Sequence, residues 1–141
     1  MPVTASLPSQ LRLAVMRLAR RLRQESVGDI TQSQLSALSA VDHSGPLSLG
    51  ELAEIERVAP PSMTRIAARL EERGLVARSA DVADRRIARV EATDAGRALL
   101  DATRTRRDAF LAVRLDAMTA EERDVLARAL PLLERLAHHD D

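Results

Sequence analysis

Ser48 to Gly96, SLGELAEIERVAPPSMTRIAARLEERGLVARSADVADRRIARVEATDAG, reads as two short helices, a hairpin and the start of a third helix. Ser48 can cap free N–H groups, Glu51 follows three residues on, and Leu49, Leu52 and Ala53 form an apolar stripe, which predicts a first helix over Ser48 to Glu56. After a short turn, Met63, Ile66, Ala67 and Leu70 recur at the spacing of one buried helical face. That spacing directs Pro61, Ser62, Thr64, Arg65, Ala68 and Arg69 outward. Gly74 after Arg73 supplies the left-handed residue that stops this second helix. Leu75-Val76-Ala77-Arg78 and Ile87-Ala88-Arg89-Val90-Glu91 alternate as strands do, and the polar segment Ser79 to Arg86 between them makes a hairpin with a long tip. Thr93 then offers an N-cap with Asp94 in the first turn, so a helix should begin near Ala95.

Helix, turn, helix and a two-stranded wing is the winged helix-turn-helix order. The outward face of the second helix is small, hydroxylated and cationic, which suits a DNA major groove, where short side chains admit the helix and Arg reaches guanine or phosphate. The same face would also serve as an ordinary solvated surface. The segment resembles the MarR family of bacterial transcription regulators. The matching residues are Leu52-Ala53, Met63-Thr64-Arg65, Leu70-Glu71-Glu72-Arg73-Gly74-Leu75-Val76, Asp84-Arg85-Arg86 and Thr93-Asp94-Ala95-Gly96. The L-E-x-x-G-L-V-x-R run is shared by several winged-helix families, whereas a D-x-R wing at this distance before T-x-x-G is specific. The resemblance implies a homodimer that pairs through its N- and C-terminal helices. It implies two winged units on a pseudo-palindromic double-stranded DNA operator, and repression relieved by a small-molecule effector.

Two positions depart from the family pattern. Arg57 stands in the inter-helix turn where a small residue, often Gly, is usual. A left-handed Arg costs on the order of 1 kcal/mol, so the turn is expected to take another path. Ala59 replaces the usual Ser or Thr cap of the second helix. Pro60 and Pro61 can compensate, because each arrives with φ preset and neither has an N–H to leave unsatisfied in the first turn.

Composition bounds the rest. At 141 residues the chain is one domain's worth, with 45% hydrophobic but 1% aromatic residues, so its core is built of Leu, Ala, Val, Ile and Met and suits packed helices. The expected fold class is therefore mostly α with a small two-stranded β wing, flanked by N- and C-terminal dimerisation helices. Net charge is zero, so a DNA-facing surface must be a local patch. All 21 cations are Arg, which reads as codon bias and carries no functional weight. The absence of Cys excludes disulfides and thiol-based oxidant sensing.

Outside the quoted stretch, Met1 to Ser6 read as a loose arm. From Leu7 to about Glu25, Leu7, Leu11, Val15, Leu18 and Leu22 form one stripe while Leu13 and Met16 lie opposite, so this helix has contacts to make in two directions. Its Arg-rich, acid-poor composition also matches a transit peptide, but a structural helix is the better reading; no run suits a secretory signal or a membrane span. Thr31-Gln32-Ser33-Gln34 is a capping box opening a helix with Leu35, Leu38 and Val41 inward, followed by a turn at His43-Ser44-Gly45-Pro46. After the wing, a long helix is expected from about Ala95 to Leu115, its charged middle, Asp101 to Asp108, crossing solvent between two contact regions. Thr119-Ala120-Glu121-Glu122 opens a last helix that is leucine-rich on more than one face. Pro131 should kink or restart it. His138 to Asp141 could hold a metal weakly but reads as a frayed end.

The organisation is then residues 1–30 as an N-terminal dimerisation helix, 31–96 as the winged unit and 97–141 as C-terminal dimerisation helices, together one structural domain. The expected DNA-contacting residues are Pro61, Ser62, Thr64, Arg65, Arg69, Asp84, Arg85 and Arg86. Among them Arg65 would reach a base edge and Arg86 the minor groove, with Asp84 holding its guanidinium and Arg85 nearer the phosphates. No Gly-rich phosphate loop, nucleophile–base pair or metal-ligand spacing appears, so no enzyme, cofactor or metal is expected. The remaining reading is a cytoplasmic regulator, with a winged-helix protein–protein interaction module as the alternative.

Overall fold

The computed structural model describes residues 5–138. In chain order these form α1 (Leu7–Gln24), α2 (Gln32–Ser44), β1 (Leu47–Ser48), α3 (Leu49–Glu56), α4 (Pro60–Glu72), β2 (Val76–Ala80), β3 (Ala88–Ala92), α5 (Asp94–Asp116) and α6 (Ala120–Ala137). The described region is mostly helical with one small antiparallel sheet, and the Met1 to Thr4 part of the expected loose arm and the His139 to Asp141 part of the tail lie outside it.

The core is gathered between α2, α3, α4 and the base of the wing. Leu35, Ala37, Leu38 and Val41 of α2 meet Leu52 and Ala53 of α3, Met63 and Leu70 of α4, and Val76, Val90 and Ala92 of the strands, with Leu100 of α5 closing one side. Gly96 permits that closure: a Cβ there would lie 2.2 Å from the Leu75 carbonyl oxygen. The expected caps are present, because the Ser48, Thr31, Thr93 and Thr119 hydroxyls accept from the N–H groups of Glu51, Gln34, Gly96 and Glu122. Each satisfies a donor that a helix start leaves orphaned.

Five expectations are corrected. The sheet has three strands in the order β1-β3-β2, because Leu47–Ser48 pairs with Val90 and Arg89. Two residues carry no alternation to read, and the pairing comes from tertiary contact. Arg57 does adopt the left-handed conformation, at φ 53° and ψ 46°. Its N–H donates to the Glu54 carbonyl at 3.2 Å and the Val58 N–H to Ala53 at 3.1 Å, the paired bonds of a Schellman turn, which offset the strain. Gly74, at φ 71°, ends α4 with the same pair of bonds. His43 and Ser44 belong to the last turn of α2, and His43 is exposed. The charged middle of α5 does not cross solvent: Thr103 is only 2% exposed, and its hydroxyl accepts from the Val27 N–H at 3.4 Å. Long Arg side chains with apolar stems flank Thr103 and conceal a buried face from a charge count. Finally, of the kink or restart expected at Pro131, the restart does not occur, because α6 runs unbroken from Ala120 to Ala137. The carbonyl that Pro131 leaves unpaired, Ala127, sits on an exposed turn where water can satisfy it.

The terminal helices contrast with this core. Neither α1 nor α6 contains a buried residue. Val15, Met16, Leu18, Leu130, Leu132 and Leu136 are each about half exposed or more.

Candidate nucleic-acid interface

Helix α4 is anchored by Met63, Ala67 and Leu70, all essentially inaccessible. Because these recur at helical spacing, Pro61, Thr64, Arg65 and Arg69 are exposed on the opposite side, with Ser62 half-buried. Pro60 and Pro61 occupy the first turn, and Ala59 gives no side-chain cap bond. The prolines have no N–H to leave unpaired in that turn, and the Thr64 hydroxyl donates back to the Pro60 carbonyl at 3.0 Å. Among the described residues, no ion pair engages Arg65, Arg69 or Arg85, so these three cations face outward uncompensated.

The wing projects beyond β2 and β3, whose register runs from Val76 opposite Ala92 to Ala80 opposite Ala88. At its tip Arg86 grips Asp84 with two parallel bonds, Nε to Oδ1 at 3.0 Å and Nη2 to Oδ2 at 3.1 Å. The Arg86 side chain is nevertheless 90% exposed. A planar fork held bidentately is fixed in direction while its far edge remains open to a ligand. The Arg86 side chain first, and its backbone N–H second, hold the Asp84 carboxyl below the usual aspartate range.

Sequence reasoning missed a second carboxylate beneath the tip. Asp81 accepts from the N–H groups of Ala83 at 3.1 Å and Asp84 at 2.8 Å through Oδ2, while Oδ1 takes the Arg89 Nε–H. Arg89, then the Asp84 N–H, lower the Asp81 carboxyl as well. The signal available in sequence was an Asp opening a turn three residues before Asp84, the pattern of a side chain that caps its own loop.

A cleft of about 430 Å³ lies between α2 and α5, lined by Leu35, Ser36, His43, Leu100, Thr103 and Arg107 among others. Arg107 donates to the Leu22 carbonyl at 2.9 Å through Nε, while its Nη2 is buried with no hydrogen-bond partner among the described residues. No group of three or more His, Cys, Asp or Glu able to hold a metal occurs among the described residues, and no described helix is long and apolar enough to cross a membrane.

A buried three-helix support, an exposed small and cationic helix face, and an arginine-tipped hairpin beside it define a winged helix-turn-helix DNA-binding protein. Residues 30–88 match the model of the MarR family, and the chain belongs to that family of transcriptional regulators, which bind DNA and are not enzymes. It is 42% identical over 130 residues to the HTH-type transcriptional regulator MT0903.1 of Mycobacterium tuberculosis, covering 92% of this chain and 91% of that one. The HTH-type transcriptional repressor MdtR of Bacillus subtilis is 29% identical over 140 residues, covering 96% and 90%. Among solved structures, a MarR family protein from Bacillus stearothermophilus superposes with a TM-score of 0.76 at 29% identity, covering 92% of this chain and 91% of that chain.

Proposed function

We propose that the protein is a cytoplasmic homodimeric repressor that reads a pseudo-palindromic operator with two winged units. The observation that carries the DNA part is the uncompensated α4 face beside a guanidinium held at the wing tip. In this reading Pro61, Ser62, Thr64, Arg65 and Arg69 enter the major groove, with Arg65 on a base edge. Arg86 enters the minor groove, Asp84 aims it and Arg85 meets phosphate. The pairing part rests on the apolar side chains that α1 and α6 leave exposed, which one chain does not cover. The chain then divides functionally into residues 1–30 and 97–141 for pairing and 31–96 for DNA. Repression is the role of the relative MdtR, a transcriptional repressor. Release by a small ligand is supported by the α2–α5 cleft, whose size suits a small molecule and which Arg104 and Arg107 line beside Leu35 and Leu100.

Titration of Arg65→Ala against operator and scrambled DNA at two salt concentrations tests the assignment. Loss of about 1–3 kcal/mol on the operator, with relaxed preference at one position per half-site, is expected for a base contact. Equal weakening on every sequence would reassign Arg65 to phosphate. Arg86→Ala should weaken operator binding at an unchanged melting temperature, because an exposed ion pair contributes little to stability.

A further inference from the structure

Arg89 sits on β3 with Ser48 of β1 opposite it on one side and Ser79 of β2 on the other. Ser48 caps α3, so the register sets Arg89 against the first turn of that helix, where Glu51 lies. The Arg89 Nη1 donates to Glu51 Oε1 at 3.4 Å and its Nε donates to Asp81. The Arg89 and Asp81 side chains are 29% and 15% exposed, well below the 90% of Arg86. Arg89 is therefore withdrawn from the surface that the tip presents. Asp81 in turn fixes the backbone N–H of Asp84, and Asp84 holds Arg86.

We infer that Arg89 is a positioning residue for DNA binding: it locks the wing tip to α3 through a Glu51–Arg89–Asp81–Asp84 relay that aims Arg86. The inference rests on the reading that Arg86 contacts DNA. Strand β1 pairs with β3 only at Val90 and Arg89, so the segment beyond the Ala80–Ala88 pair has no third strand beside it, and a two-stranded ribbon is marginally ordered by itself. An Arg fork between two carboxylates on different elements supplies the cross-brace, which a Lys, with one point charge, reproduces only in part. The relay also ties the tip to the helix preceding α4, so that wing and recognition helix keep one relative setting.

The test is a double-mutant cycle on operator affinity, with backbone amide exchange measured on the free protein. Arg89→Ala should weaken operator binding by about three- to tenfold, with Arg89→Lys between it and wild type. It should have little further effect in the Arg86→Ala background and its full effect in the Arg65→Ala background. In the free protein the Ala83 and Asp84 amides should exchange faster while those of α4 are unchanged. Asp81→Asn, which cuts the same relay at its other end, should repeat the pattern and serves if Arg89→Ala folds poorly. Full additivity with Arg86→Ala, or unchanged exchange at Ala83 and Asp84, overturns the relay alone. Wild-type affinity of Arg86→Ala overturns the wing reading beneath it.

Discussion

The winged unit and the terminal helices use the same aliphatic residues to opposite effect. In the winged unit Leu38, Leu52, Met63 and Leu70 are at most 1% exposed, and hydroxyl caps start α2, α3 and α5 around them. In α1 and α6 the leucines are as frequent, yet none is buried. The difference teaches that apolar periodicity marks a face to be covered and does not say by what. Within 35–100 the cover is intramolecular; at the chain ends the symmetric partner proposed above would supply it. Two-faced stripes, as in α1, were the signature that separated the two cases.

The contrast should break most visibly in the core. Leu52→Ala, at a position with no exposure, should cost about 2–5 kcal/mol in denaturant unfolding, through lost transfer energy and the cavity left between α2, α3 and α4. A cost below about 1 kcal/mol would mean the winged unit is not the stability centre. The paired change Leu132→Glu with Leu136→Glu should leave the winged unit folded by circular dichroism while halving the mass seen by light scattering and weakening operator binding. An unchanged mass would mean that α6 is not part of the pairing surface. The smallest effect compares the two Schellman turns. Arg57→Gly should stabilise by about 0.5–1 kcal/mol, because Gly removes the left-handed strain at a modest entropic cost in the unfolded chain. No gain would mean that Arg57 makes a contribution equal to its strain.

Much of the fold was legible because it is local. Capping hydroxyls, Gly74, the 3.6-residue spacing of Met63, Ala67 and Leu70, and the wing strands each act within a few residues. What escaped reading depends on partners far along the chain. Strand β1 exists because β3 lies beside it, Arg89 finds Glu51 across 38 positions, and the Thr103 hydroxyl accepts from Val27, 76 positions away. Arg57 escaped for another reason: left-handed strain argues against a non-Gly residue, but two well-made bonds outweigh about 1 kcal/mol. At the site, the D-x-R pair was visible as sequence, whereas Asp81 beneath it needed the folded turn.

The central claim, that two winged units read DNA together, is tested most directly by selecting bound fragments from a random DNA pool and sequencing them. An inverted repeat is expected, its half-sites centred about one helical turn, roughly 10 base pairs, apart or a multiple of it. Recovery of a single unrepeated half-site, or of no enriched sequence at all, would contradict the paired reading.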